Sequence, residues 1–144
     1  MIALPDVNVL LALVWSHHPH HEAAHRWFAQ AAVAGWATCL LTQTGLLRLS
    51  LNPQIVGVAL DCQAAVHLLQ QLVQHPQHHY VDQAPALTAT AFEALIPKIR
   101  GYRQMTDATL LYLAYRSSMK LVTFDHPVVA ICPWPDHLEL LTPS

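Results

Sequence analysis

Three aspartates, Asp6, Asp107 and Asp125, stand where an oxygen-ligand metal site could form. Asp6 and Asp125 each close a short apolar run, Ile2–Leu4 and Lys120–Phe124, that reads as a buried parallel strand. Asp107 opens TDATLLYLAYRS, Thr106–Ser117, whose apolar positions Leu110, Leu111 and Ala114 share a helical face. Open α/β sheets bind ligands beyond the carboxyl ends of their strands, so carboxylates that follow two central strands emerge at one edge. A helix running antiparallel to those strands starts at the same edge, and its free amides and dipole favour an acid there. Three carboxylates brought together raise one another's pKa, and Mg²⁺ or Mn²⁺ relieves that repulsion. Such an ion lowers the pKa of bound water and polarises a phosphodiester. The chemistry indicated is metal-assisted phosphodiester hydrolysis. Spacing alone leaves a second reading open, since aspartates after strands and at helix starts are also ordinary caps.

The elements that must carry these residues follow an α/β order. Pro5 biases its predecessor toward extended backbone, so the first strand stops at Asp6. Asn8–Trp15 starts a helix, HHPHH at His17–His21 is a turn, and Glu22–Ala34 is a second helix that Gly35 ends. Trp36–Leu41 reads as a strand, Thr42–Leu49 as a helix and Asn52-Pro53 as a turn. Ile55–Val73 reads as one long helix with Asp61 in its first half, and His79–Val81 as a third strand. A short helix is expected over Ala89–Ile96, closed by Pro97, and short extended segments over Val129–Cys132 and Leu138–Leu141. The pattern predicts an α/β fold rather than an all-α or all-β one.

The chain has 144 residues, 53% hydrophobic and 11% charged, which suits one domain over 1–144 and argues against disorder. Net charge is -2 with 11 histidines counted neutral, so bulk charge neither indicates nor excludes nucleic acid. Cys39, Cys62 and Cys132 form no CxxC pair, and the apolar N-terminus lacks a basic leader, so a cytoplasmic protein with reduced thiols is expected. No apolar run is long enough for a membrane span.

Other residues carry competing readings. The histidine run, with His21 and His25 one helical turn apart, reads either as a transition-metal site or as a turn whose imidazoles cap neighbours. Arg48, Arg100 and Arg103 are candidates for phosphate contact, or for solvated surface. Trp15, Trp27, Phe28 and Trp36 read as core or interface. No GxSxG elbow, GxGxxG or Walker loop occurs, which argues against a serine hydrolase or a nucleotide cofactor.

Taken in order, LPDVNVLLAL (Leu4–Leu13), PHHEAAHRWF (Pro19–Phe28), GWATCLLTQTGLLRLSLNP (Gly35–Pro53), TDATLLYLA (Thr106–Ala114) and LVTFD (Leu121–Asp125) resemble the PIN-domain ribonuclease toxins of the VapC type. The resemblance implies a three-layer α/β/α domain with a central, mainly parallel sheet. It implies a Mg²⁺- or Mn²⁺-dependent endoribonuclease, an RNA substrate, a cognate antitoxin and a homodimer. It assigns metal-binding acids to Asp6, Asp107 and Asp125, with Asn8 and Thr123 supporting them. Gln43 stands where the family pattern carries a glutamate, so the resemblance places a neutral amide in the catalytic set. Such an amide bonds a water or offers its carbonyl oxygen but adds no charge. A PIN-like protein that binds RNA or a partner without cutting is the alternative. A DNA nuclease on the same fold and a plain interaction domain are the further rivals.

Overall fold

The structure, a computed structural model, describes residues 1–143. Strand β1 (Ile2–Pro5) leads through Asp6 into α1 (Val7–Val14), followed by α2 (His21–Ala31) and β2 (Trp36–Cys39). Helices α3 (Leu40–Ser50), α4 (Pro53–Val56) and α5 (Cys62–Val73) precede β3 (His78–Val81). A non-regular stretch with short 3₁₀ turns then reaches α6 (Met105–Arg116), β4 (Met119–Thr123), α7 (Val128–Ile131) and β5 (Leu138–Leu140). The sheet order is β3-β2-β1-β4-β5 and every neighbouring pair is parallel.

β1 and β4 occupy the middle, in register from Ile2 opposite Met119 to Pro5 opposite Val122. Both are apolar at successive positions, as strands covered on both faces must be. Alternate residues feed opposite cores. Ala3 and Val122 join Leu10, Trp27, Trp36, Leu46 and Leu69 beneath α1, α2, α3 and α5. Leu4 and Leu121 join Leu110, Leu111, Tyr112 and Ile131 beneath α6 and α7. The result is the expected three-layer α/β/α arrangement around a parallel sheet. No helix among the described residues is long and apolar enough to cross a membrane.

Three local expectations are corrected. The long helix over Ile55–Val73 is two helices. Gly57, at φ 80°, takes the left-handed conformation that ends α4, and the Asp61 carboxylate caps α5 by accepting from the Ala64 amide at 2.8 Å. Val129–Cys132 is not extended, because Pro127, at φ −57° and ψ −20°, already sets helical geometry for α7. The Ala89–Ile96 helix is replaced by 3₁₀ turns at Thr90–Ala94 and Ile96–Lys98, and Pro97 sits inside the second.

Ser118 is the one non-glycine residue with positive φ, 56°, among the described residues, just beyond the end of α6. A side chain in that conformation costs about 1 kcal/mol, and glycine there is the usual helix stop. Ser118→Gly is expected to raise stability by roughly 0.5–1 kcal/mol after the added unfolded-state freedom is subtracted. A urea denaturation midpoint at or below that of the wild type would count against this.

Candidate functional site

Asp6 is the buried anchor of the site, only 6% exposed. It leaves the central strand β1 and caps α1, its Oδ1 accepting from the Val7 amide at 2.7 Å. Its Oδ2 accepts from the Thr123 hydroxyl at 2.8 Å. Thr123 ends the neighbouring strand β4 and is fully buried. Its oxygen also accepts from Asn8 Nδ2 at 3.1 Å and from the Asp125 amide at 3.0 Å. One donor and two acceptor sites are all that a hydroxyl has, so Thr123 is saturated. Asn8 completes the tie by accepting from the Phe124 amide at 3.2 Å. The ends of β1 and β4, 117 residues apart in the chain, are thus locked together where both carry an aspartate.

Thr123→Val keeps the shape and removes all three bonds. We expect it to destabilise the fold by about 1–3 kcal/mol, because a buried carboxylate oxygen loses its donor, while Thr123→Ser stays near wild type. Equal thermal midpoints for the valine and serine variants would show that the hydroxyl does not hold this junction.

Asp107 lies in the first turn of α6. Its carboxyl is pushed up to about 6, first by burial and then by the charges of Asp6 and Asp125. The Asp6 carboxyl is also raised, chiefly by burial, with the Thr123 and Val7 bonds pulling down and Asp125 pushing up. No cation is among the causes of either shift. Three carboxylates therefore share one region of negative potential. Among the described residues, however, no group of three His, Cys, Asp or Glu side chains is placed so that it could hold a metal ion. An ion at this edge would therefore rest directly on fewer than three of these side chains and keep several waters. Mg²⁺ is usually held by one or two carboxylates together with substrate phosphates, not by an all-protein cage. The donor set is oxygen-only and uncompensated, as such an ion requires.

Gln43 sits in the first turn of α3, just after β2, and its Nε2 donates to Thr38 at 3.0 Å. It makes no described hydrogen bond to the three aspartates. Arg100 and Arg103 are exposed in the stretch leading to α6, with the Arg103 guanidinium 5.7 Å from the Tyr102 ring centre. Arg48 is exposed in the last turn of α3, at the end remote from β2. No described contact brings any of these arginines to the aspartates.

The pattern of the PIN domain family matches residues 3–130. The chain belongs to the PIN-domain family. Relatives place it in the VapC branch. Ribonuclease VapC38 of Mycobacterium tuberculosis (strain ATCC 25618 / H37Rv) is 41% identical over 90% of this chain and 89% of its own. Ribonuclease VapC39 of Mycobacterium tuberculosis (strain CDC 1551 / Oshkosh) is 38% identical over 87% and 89%. The crystal structure of VapBC2 from Rickettsia felis, bound to a DNA fragment from their promoter, superposes with a TM-score of 0.68 over 99% of this chain and 100% of that chain. At 15% identity that likeness speaks for the fold.

One feature of this PIN domain escaped the sequence reading, and one of its open alternatives is decided. Gly45, buried in the middle of α3, lets that helix press onto the residue after Asp6: a Cβ built there would lie 2.5 Å from Cγ2 of Val7. A glycine inside a helix costs about 1 kcal/mol against alanine and so hints at close packing, the signal that could have found it. Of the two readings of the histidine run, the capping turn is the one the structure shows. His21 Nδ1 reaches the Ala12 carbonyl at 2.7 Å and His25 Nε2 the Leu13 carbonyl at 3.0 Å, both in the last turn of α1. His17 Nε2 reaches the Val56 carbonyl, at the end of α4, at 2.8 Å. Helix-end carbonyls lack internal partners, and imidazole N–H groups supply them. The same turn buttresses the site, because the His20 ring stacks on Phe124 at 4.7 Å, between Thr123 and Asp125.

Proposed function

We propose that this PIN domain is a Mg²⁺- or Mn²⁺-dependent endoribonuclease that acts as the toxin of a toxin–antitoxin pair. The observation that carries this reading is the coupled trio of aspartates at the end of β1, the end of β4 and the start of α6, without a compensating cation. Asp6, Asp107 and Asp125 would hold the ion. Once bound, that ion would polarise the phosphodiester and lower the pKa of bound water. Thr123 and the Val7 amide stabilise Asp6 in its charged form, and Asn8 holds the strand ends that aim Asp6 and Asp125. Arg100 and Arg103, exposed just before the helix of Asp107, would contact the RNA backbone. Gln43 joins the set as a neutral oxygen donor.

A homodimer and a cognate antitoxin are the proposed protein partners. An apolar groove supports them. About 520 Å³ in volume, it runs between the start of α3, the 80–87 segment and α6, and Leu40, Tyr80 and Leu87 are exposed along it.

The neutral Gln43 favours one second reading, a PIN domain that binds RNA or a partner without cutting. Cleavage of a panel of structured RNAs with Mn²⁺, Mg²⁺ or EDTA separates the two. The nuclease reading expects metal-dependent cutting that EDTA abolishes. It also expects Asp6→Asn to lose at least about a hundredfold in rate while keeping a folded far-UV spectrum, as loss of an electrostatic group in a site does. Wild-type protein inert on every RNA with both metals would sink it.

A further inference from the structure

The polar chain behind Gln43 has a direction. Gln43 Nε2 lies 3.0 Å from Thr38 Oγ1, and an amide nitrogen can only donate, so Thr38 accepts there. Thr38 is fully buried, and its own proton needs a partner. His78 Nε2, 2.7 Å away on the edge strand β3, is that partner. Burial, then the charges of His79 and His75, hold the His78 imidazole below its ordinary pKa, which favours a ring nitrogen free to accept. The ring then accepts at Nε2 and carries its proton on Nδ1. The bonds run from Gln43 to Thr38 to His78.

This order leaves the Gln43 carbonyl oxygen on the side away from Thr38. Oε1 has no described protein partner, and it is not among the buried polar atoms that lack one, so it is open to solvent. Gln43 follows β2 at the carboxyl edge of the sheet, and the adjacent strand β1 ends in Asp6.

We propose that Thr38 and His78 are positioning residues that lock the Gln43 amide with Nε2 against the sheet and Oε1 toward the acidic edge, as a neutral ligand for the divalent ion or for a water in its shell. This rests on the nuclease reading above. The chain is matched to an amide. A carboxylate at position 43 has no N–H to give, so Thr38 would turn its proton toward it. His78 would then have to donate from Nε2. Gln43→Glu therefore reverses both bonds and moves the histidine proton from Nδ1 to Nε2.

Two measurements test this. Calorimetric titration of metal-free protein with Mn²⁺ is expected to show about tenfold weaker binding for Thr38→Val and near wild-type binding for Thr38→Ser, as for other partners that orient a ligand. Imidazole ¹⁵N shifts of His78, recorded without metal, are expected to show the proton on Nδ1 in wild type and on Nε2 in Gln43→Glu. If Thr38→Val fails to fold, the histidine tautomer decides alone. Wild-type Mn²⁺ binding and cleavage, together with unchanged binding by a folded Thr38→Val or an unchanged tautomer in Gln43→Glu, would overturn the positioning role and leave the nuclease reading standing. Wild type that neither binds Mn²⁺ nor cuts RNA overturns both.

Discussion

In EDTA at pH 7.5, Asp107→Asn is expected to melt above the wild type. The folded Asp107 carboxyl holds its proton up to about 6, against 3.8 for the free side chain. An acid whose folded pKa is raised favours the folded state while protonated. That contribution is present below the unfolded value and is lost as pH rises from about 4 to about 6. Above that window the carboxylate is charged in both states, and the folded protein bears the full burden of burial and of repulsion from Asp6 and Asp125. Each pKa unit is worth about 1.4 kcal/mol. Solvent screening at a partly open group trims the total, so a gain of about 1–2 kcal/mol, or a few degrees, is expected for the neutral isostere. If the three acids bind the ion as proposed, saturating Mn²⁺ should reverse the order, since the wild type alone keeps the full set. Thermal melts at pH 4.5 and 7.5, with EDTA and with Mn²⁺, measure all of this. An Asp107→Asn protein that melts below wild type in EDTA at pH 7.5 would mean that its carboxylate is already balanced by protein groups.

Gly45→Ala should be damaging, although alanine is the better helix former by about 1 kcal/mol. The new Cβ would lie 2.5 Å from Cγ2 of Val7 and 3.2 Å from its Cγ1. Valine is short, branched and confined to nearly one rotamer in a helix, so it cannot swing aside. Either α3 or the first turn of α1 must move. Overpacking of this kind costs about 1–3 kcal/mol, which outweighs the propensity gain. Asp6 is bonded to the amide of that same Val7, so the shift reaches the site. A displacement on the order of 1 Å at such a site can cost a hundredfold in rate, and that is the loss expected in the proposed metal-dependent cleavage. Val7→Ala in the same chain opens the space and should recover much of both losses, a coupling that independent sites would not show. Additive effects in this double-mutant cycle would remove Gly45 from the positioning of Asp6.

What the sequence made legible was local. Asp6 and Asp125 could be seen as strand-end acids because each directly follows a short run dominated by apolar residues, IALP and LVTF. Asp107 could be seen in a first turn because the apolar period begins just after it. What stayed hidden depended on partners far along the chain. Nothing near Thr123 says that its hydroxyl serves Asp6, and nothing near Thr38 says that it joins Gln43 to His78. The capping histidines were ambiguous for the same reason, since their acceptors lie on helices α1 and α4. The break at Gly57 was missed because apolar spacing continues on both sides of it. Helix α7 has four residues, fewer than the periodic signal needs.

The lateral order of the strands also sets a timetable for synthesis. β1 is made first, yet one of its two neighbours in the sheet is β4, whose pairing begins at Met119. At 5–20 residues per second, a ribosome takes roughly 6–24 s to travel from Asp6 to Asp125. Throughout that interval the nascent chain carries Asp6 without the hydroxyl that grips it and without either of the other acids in place. A chain that ends before residue 121 carries Asp6 and Asp107 but lacks Thr123, Asp125 and most of the strand that ties them to β1. Of the two strands that carry an aspartate at their ends, the one made last is thus the one that brings both the third acid and the hydroxyl that holds the first.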